Sequence, residues 1–328
     1  MFRCLSTGGE ICTIDLKRTM QQNDVHAIAG DYALTEVVVE PFEGGANSSF
    51  ALHTRQGEYV LTVFDEKSWE DVVKIGQLLM LLAEHEFPTT RLLQTKEGAL
   101  ATMFGDKPVM VKEYIDGHVV KNLDTAMVSQ LGVAMGRLHQ VPTPDYLPVE
   151  HAYGLQMFSQ AIGRNINPEY EKWLSEQLAY IERSIPSQLP RGLIHADMFY
   201  DNVLFEGTEL KAVIDFEEAC CYYRVFDVGM GIVGLCADGT TVDLDRARAF
   251  VSAYQQVRRM EEGERKSLQV FVEYAATATS YWRFWKYNID TPAPEKADRY
   301  LQMVRLAKDA RAIPKARFRE AVFGQGPL

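Results

Sequence analysis

The sequence has few cysteines and lacks a long hydrophobic run or a basic tract. Its five cysteines are odd in number and include no CxxC pair, which argues against a disulfide framework and a zinc site. No stretch of about 18 apolar residues occurs, and the start has no continuous apolar region of the kind found in signal peptides. A net charge of −11 argues against a nucleic-acid partner. We therefore expect a cytoplasmic protein that neither crosses a membrane nor binds nucleic acid.

Hydrophobic patterning predicts two differently built lobes in the 328 residues. After an N-terminal extension predicted over residues 1–30, three runs rich in β-branched residues predict an antiparallel meander from Tyr32. A helix is predicted over 68–86 and two further strands before the turn at Asp116. From there to the end helical periodicity dominates. The pattern predicts an α+β fold with a sheet-rich N-lobe over 31–116 and a helical C-lobe over 117–328, with a ligand cleft between them.

One segment, residues 193–219, contains H-x-D-x-x-x-x-N followed by two predicted strands and Asp-Phe. The strands, 203–205 and 211–214, are joined across a short turn and predict a hairpin, which would make Asn202 and Asp215 neighbours. An amide oxygen and a carboxylate suit Mg²⁺ that is shared with phosphates, so ATP is the implied cofactor. Asp197 lies close enough to deprotonate a hydroxyl that attacks the γ-phosphoryl group, and His195 is predicted to hold its loop. The alternative is that these Asp and Asn residues only form turns.

The hairpin resembles the catalytic segment of the protein-kinase-like superfamily, in its aminoglycoside phosphotransferase and choline kinase branch. The runs ANSSF, YVLTVFDEK, HADMFYDNVLFEG, IDFEEAC and YWRFWKYN are most similar to type II homoserine kinase. The resemblance implies L-homoserine as the acceptor, Asp197 as the base, and Asn202 and Asp215 as Mg²⁺ ligands. It also implies that the phosphates of ATP contact the loop 44–49 and that adenine contacts the segment 112–117. The residues assigned to the nucleotide are Gly44, Gly45, Asn47, Ser48, Ser49, Glu113, Tyr114 and Ile115.

The predicted phosphate side departs from the usual kinase pattern at one strand position. Thr62 stands where a kinase strand usually carries a phosphate-binding lysine. Homoserine kinases resemble this sequence in having threonine there, so either Lys67 or the phosphate loop is the candidate source of the positive charge. A catalytically inactive, nucleotide-binding pseudokinase is the alternative reading of Thr62.

Two charged positions bear on the acceptor. Homoserine is a zwitterion, so its pocket should offer a cation to the carboxylate, for which Arg283 is the candidate, and an acid to the ammonium. Glu217 and its neighbour Glu218 are candidate acids, but homoserine kinases usually show an aromatic residue where Glu217 stands and choline-type kinases an acid. A cationic acceptor, such as a choline or ethanolamine analogue or an aminoglycoside, therefore stays open. The predicted partner is a small hydroxyl acceptor, and the sequence does not indicate the oligomeric state. The basic run KARFRE at 315–320 predicts a solvated helix.

Overall fold

The computed structural model describes residues 2–5, 11–14, 22–42 and 47–324. The chain divides into two compact units, one formed by residues 1–73 and 92–114 and the other by 74–91 and 115–328. Residues 74–91, which the sequence places in the N-lobe, thus belong to the second unit. No helix in the described ranges combines the length and hydropathy that a bilayer span needs.

The first unit is built on an antiparallel sheet in the order β3-β4-β5-β8-β6, with β7 also paired to β8. Its elements, with α2 continuing into the second unit, are β1 (Phe2–Leu5), β2 (Ile11–Ile14), α1 (Gln22–Asp31), β3 (Val38–Pro41), β4 (Ser48–Thr54), β5 (Gly57–Val63), α2 (Trp69–Glu84), β6 (Leu92–Leu93), β7 (Thr102–Phe104) and β8 (Lys107–Glu113). Val25 and Ile28 of α1 join Leu52, Leu61 and Val111 of the sheet in one buried cluster. The helix within the predicted extension is therefore part of this core.

The second unit is mainly helical and also contains short strand pairs. Its elements after α2 are α3 (Thr125–Leu138), α4 (Leu155–Phe158), α5 (Pro168–Ser184), β9 (Arg191–Ile194), β10 (Val203–Glu206), β11 (Glu209–Val213), β12 (Cys220–Tyr223), α6 (Arg224–Leu235), β13 (Ala237–Asp238), β14 (Thr241–Val242), α7 (Leu244–Val257), α8 (Glu262–Trp285), α9 (Tyr300–Ala312) and α10 (Lys315–Phe323). A 3₁₀ turn, Tyr200–Asn202, precedes β10, and a π-helical turn, Lys286–Asp290, extends α8. Asp124 caps α3 by accepting from two backbone N–H groups, which satisfies donors that the helix leaves unpaired.

Two close helix contacts position the residues of the site. At Gly132 of α3, an added Cβ would lie 2.2 Å from the Phe250 carbonyl oxygen of α7. At Gly229 of α6, it would lie 2.6 Å from the Phe271 carbonyl oxygen of α8. Because only glycine allows backbones to come this close, these two residues permit the close packing of α7 on α3 and of α8 on α6.

Candidate active site

The predicted hairpin is present and aligns the two proposed metal ligands. Strands β10 and β11 pair with Val203 opposite Val213. Beyond this pair, the Ile214 N–H donates to the Asn202 carbonyl at 2.9 Å. Asn202 and Asp215 therefore flank the open end of the same ladder, as the spacing predicts.

Asp197 and Asn202 are joined directly by hydrogen bonds. Asn202 Nδ2 donates to Asp197 Oδ2 at 2.9 Å and to the Asp197 carbonyl at 2.8 Å. Both amide protons are thus used, which directs Asn202 Oδ1 away from Asp197 as an oxygen ligand. Among the described residues, no hydrogen bond reaches Asp197 Oδ1, so this oxygen can accept from an incoming hydroxyl.

The pKa of Asp197 is raised from 3.8 to about 7. Burial is the largest cause, and the carboxylates of Asp215, Asp201 and Glu218 add to it, while the hydrogen bond from Asn202 opposes it. A carboxylate whose pKa is near 7 can accept a proton from a hydroxyl and release it again near neutral pH, which is the property of a general base.

Asp215 has oxygen atoms that suit a divalent cation. It is exposed and adopts the left-handed conformation at φ 66°, which a non-glycine residue reaches only at a cost. The next residue, Phe216, packs edge-on against His195 with ring centroids 4.6 Å apart. No cluster of three His, Cys, Asp or Glu side chains that could enclose a metal occurs in the described part of the chain. One carboxylate and one amide oxygen fit Mg²⁺, which takes few protein ligands and completes its shell with phosphate oxygens and water.

His195 is fully buried beneath the loop that carries Asp197. Its Nε2 lies 2.9 Å from the Ile214 carbonyl, and its Nδ1 accepts from the Asp197 N–H at 3.2 Å. The carbonyl can only accept and the amide can only donate, so the ring has its proton on Nε2. These contacts tie the loop to the hairpin, which fits the loop-holding role predicted for His195.

Asp227, in the first turn of α6, holds the same loop from the other side. This carboxylate has no exposed surface and accepts from the His195 N–H at 2.9 Å and the Ala196 N–H at 2.8 Å. Ala196 has φ 71°, so its amide points inward only with a strained backbone. The sequence reasoning assigned Asp227 no role. The available signal was the single carboxylate of α6, whose only other charged residue is Arg224.

A buried hydrogen-bond chain supports Asp227. His139 Nε2 lies 3.0 Å from Asp227 Oδ2, and His139 Nδ1 lies 2.8 Å from the Tyr254 hydroxyl, which accepts from Arg258 at 2.7 Å. Burial lowers the pKa of His139 despite the neighbouring carboxylate, so the neutral ring donates through Nε2. Burial raises the pKa of Asp227, but its hydrogen bonds and His139 outweigh this and lower it overall. The loop thus rests on an ionised carboxylate with three donors.

The predicted phosphate loop is described only in part, because Gly44 and Gly45 lie outside the described residues. Asn47 Oδ1 accepts from the Asp65 N–H at 3.4 Å, and Ser48 Oγ donates to Asp65 Oδ2 at 3.1 Å. Lys107 Nζ, which the sequence reasoning missed, lies 2.5 Å from Asp65 Oδ1. Lys107 therefore lies beside Ser48 and is a second candidate, besides Lys67, for the cation that contacts phosphate.

The remaining nucleotide candidates lie in and after the central strands. Ser49 is opposite Thr62, which is buried at 4% exposure, and Lys67 is half-buried. Glu113 ends β8 opposite Tyr59. Tyr114 donates its N–H to the Glu58 carbonyl, and Ile115 begins the second unit.

Two of the acceptor candidates, Arg283 and Glu218, lie within electrostatic reach of the loop that carries Asp197. Arg283 is half-buried at the end of α8 and donates to Gln302 Oε1 at 2.9 Å. Burial is the largest cause and lowers the pKa of Arg283, and Arg299 lowers it further. Tyr287, Asp201 and Asp197 act in the opposite direction and raise it. Arg283 thus lies within electrostatic range of the candidate base Asp197, 86 residues earlier in the sequence. Glu217 and Glu218 are both half-buried beside Asp215, and Glu218 raises the pKa of Asp197.

Known proteins match most of the chain. A family model described as "Phosphotransferase enzyme family" matches residues 38–261. The homoserine kinase of Bradyrhizobium sp. (strain ORS 278) is 28% identical over 284 residues, which cover 84% of this chain and 88% of that protein.

Two solved structures share the fold. "Amicoumacin kinase hAmiN in complex with AMP-PNP, Ca2+ and Ami" has a TM-score of 0.70 at 13% identity and covers 90% of this chain and 95% of its own. "Structure of the microcompartment-associated aminopropanol kinase" has a TM-score of 0.69 at 14% identity and covers 91% and 99%. The prediction of a protein-kinase-like α+β fold and of its superfamily is confirmed.

Proposed function

The chain belongs to the phosphotransferase enzyme family, and from this premise we propose that it transfers the γ-phosphoryl group of ATP to the hydroxyl of L-homoserine. The observation that carries this proposal is the pairing of Asp197 with Asn202 beside Asp215. The hydroxyl oxygen forms a bond to the γ-phosphorus as the bond to the β–γ bridging oxygen breaks, and ADP leaves. The proton of the hydroxyl goes to Asp197.

In this mechanism, Asp197 orients the acceptor through Oδ1 while Asn202 holds Oδ2. The hydrogen bond from Asn202 fixes the carboxylate plane, so the base does not have to reorganise during transfer. Asn202 Oδ1 and Asp215 would hold Mg²⁺, which supplies charge neutralisation at the phosphates when bound. Asn202 and Asp215 flank the same β10–β11 hairpin, and this supports their assignment as the two metal ligands.

The charges around the loop suit a zwitterionic acceptor. Lys296 and Arg299 lie over the Tyr287 ring, 5.4 and 6.0 Å from its centroid, and both Tyr287 and Arg299 are close enough to Arg283 to shift its pKa. This gathers positive charge on the α8 side, while Glu218 belongs to the acidic group around Asp197. A carboxylate would bind the first group and an ammonium the second. The homoserine kinase relative, which covers most of the chain, supports the same acceptor.

A cationic acceptor is the second candidate, and one feature favours it. Glu217 and Glu218 are adjacent carboxylates next to Asp215, and a cation without its own carboxylate would use both and leave Arg283 unused. The aminopropanol kinase of the same fold is named for such a cationic alcohol.

The decisive assay measures ATP consumption with L-homoserine, choline or an aminoglycoside, with the Asp197→Asn variant as the blank. We expect turnover with homoserine that falls by about 10²–10⁴-fold in the variant, the usual range for loss of a general base. Turnover with only a cationic acceptor would discard homoserine. ATP binding without turnover on any acceptor would favour the inactive alternative.

Arg283→Gln tests the acceptor pocket. If Arg283 binds the homoserine carboxylate, the KM for homoserine rises at least about tenfold, because a charge-assisted hydrogen bond is lost, while the KM for ATP stays the same. Arg305→Gln is the matched control, since Arg305 is exposed on α9. An unchanged KM for homoserine in the Arg283 variant would remove this residue from the pocket.

Lys67 and Lys107 are the two candidates for the phosphate contact that a strand lysine makes in other kinases. Lys67→Met and Lys107→Met separate them, since the true phosphate contact should raise the KM for ATP when its charge is removed. Lys107 is held by Asp65 beside Ser48, which supports it as an alternative to Lys67. Unchanged kinetics in both variants would assign the charge to the loop backbone.

A further inference from the structure

A basic cavity of about 380 Å³ lies in the second unit and shares no lining residue with the candidate active site. It is formed by α5, the first half of α8, the end of α9 and α10. Its cationic side chains are Arg265, Lys266, Arg311, Lys315 and Arg319. Five cations meet one carboxylate, Glu273, in a protein whose net charge is −11. A cavity of this size suits a small molecule.

Among the described residues, three of these cations lack a carboxylate within ion-pair distance, although the pKa of Glu262, which Lys266 lowers most, is also lowered from further away by two of them, Arg265 and Arg319. Lys266 pairs with Glu262 one turn away, and Arg311 Nε lies 3.1 Å from Glu273 Oε1. Across the described ranges, no carboxylate lies within ion-pair distance of Arg265, Lys315 or Arg319. The Nε atom of Arg265 is also buried without an acceptor in the part of the chain that the structure describes. Unpaired like charges that share a cavity repel one another, so an anion bound there would stabilise them.

Arg311 is held in place for binding before any ligand arrives. Its guanidinium lies over the Tyr180 ring at 3.5 Å from the centroid, and its Nε is bound to Glu273. Gln177 holds Glu273 in turn: with its amide oriented to accept from Trp173, it donates to Glu273 Oε1 at 2.6 Å. The plane of the Arg311 guanidinium is thus fixed from two sides. Its terminal nitrogens form the planar fork that matches phosphate oxygens.

We propose that this cavity binds a small soluble anion that carries two or more phosphate groups. Two cations would be enough to neutralise a single phosphate group. This cavity is lined by five cations from α8, α9 and α10, which is enough for an anion with more than one phosphate group. Lys315 and Arg319 are one helical turn apart and lie on the same face of α10. This face and Arg265 surround one end of the anion, and Arg311 binds the other.

The test is titration of the full chain with sodium pyrophosphate by calorimetry, in a chelator so that the metal-dependent nucleotide site is not used. The double variant Lys315→Glu, Arg319→Glu should weaken the dissociation constant at least about tenfold. Lys308→Glu, Arg317→Glu is the matched control, because it changes the net charge equally at exposed positions of α9 and α10 outside the cavity. It should change the constant less than about twofold, since exposed charges are screened.

Several outcomes would overturn the proposal. Equal weakening in both double variants would mean that pyrophosphate senses only the overall charge. Binding that survives in the cavity variant but is lost in Asp215→Asn would place pyrophosphate in the active site. A second arm sediments the protein with vesicles that contain phosphatidic acid, and pelleting that the cavity variant abolishes would assign the phosphate to a membrane surface. Because no residue that the structure describes forms an ion pair with Lys315 or Arg319, the cavity variant should unfold at the wild-type urea midpoint, and this measurement separates lost binding from lost folding.

Discussion

Replacing Asp227 by asparagine should both destabilise the second unit and slow turnover. Each carboxylate oxygen accepts a backbone N–H, Oδ2 from His195 and Oδ1 from Ala196. An amide has only one oxygen, so in either orientation its NH₂ group faces a buried N–H donor. One donor is left unsatisfied, at about 1–3 kcal/mol, and the charge that strengthens the other bonds is lost. We expect the free energy of unfolding to fall by about 2–4 kcal/mol.

The effect on turnover follows from the position of Ala196, which precedes Asp197. Without this acceptor, no hydrogen bond from the Ala196 N–H stabilises the strained φ of 71°, and the loop can relax away from the geometry that directs Asp197. A shift of about 1 Å in a catalytic group can cost up to about 10²-fold, so kcat should fall by about 10- to 100-fold. The KM for ATP should change little, because Asp227 lies under the loop and is a positioning residue.

The assays are urea unfolding, followed by tryptophan fluorescence, and steady-state kinetics with the acceptor that supports turnover. Asp106→Asn is the control, since Asp106 is exposed in the turn between β7 and β8 and should shift stability by less than about 0.5 kcal/mol. If Asp227→Asn unfolds at the wild-type urea concentration and keeps its kcat, the loop does not depend on these hydrogen bonds and the reasoning fails.

Three further changes test other parts of the structure. Asp215→Asn should weaken Mg²⁺-dependent ATP binding at least about tenfold in calorimetry and leave metal-free binding unchanged, and equal affinity with Mg²⁺ would reassign the metal. Gly132→Ala should cost about 1–3 kcal/mol in urea unfolding, because the new methyl group meets the Phe250 carbonyl, whereas Gly30→Ala, which meets nothing within 4 Å, should gain up to about 1 kcal/mol. Burial, opposed by Arg311 and Gln177, raises the pKa of Glu273 from 4.5 to about 7. The folded pKa exceeds the unfolded one, so the contribution of Glu273 is full below pH 4.5 and is lost as the pH rises through 7. The unfolding free energy of Glu273→Gln relative to wild type should therefore rise between pH 5 and pH 8, and a flat difference would contradict this.

The sequence alone determined those features that depend on neighbours along the chain. The four residues between Asp197 and Asn202 and the short turn before Asp215 limit how far these groups can separate, so pattern and turn chemistry sufficed to bring them together. The helix predicted over 68–86, which forms as α2 (Trp69–Glu84), and strands β3, β4, β5, β7 and β8 of the first unit followed in the same way from periodicity. The resemblance that these motifs carry also predicted the fold and the superfamily, and both were confirmed.

Only the tertiary structure decided which distant residues support or extend the site. Asp227 reaches the backbone of His195 across 32 positions because α6 packs against the loop, at Gly234, where an added Cβ would lie 2.2 Å from the Met198 carbonyl oxygen, and no local pattern encodes this contact. Arg283 likewise comes near Asp197 through the packing of α8. The basic run at 315–320 is helical as predicted, but Lys315 and Arg319 line a cavity, which the composition of the run did not indicate. Local propensity decides which element a segment forms, whereas long-range packing of helices decides which side chains share a cavity.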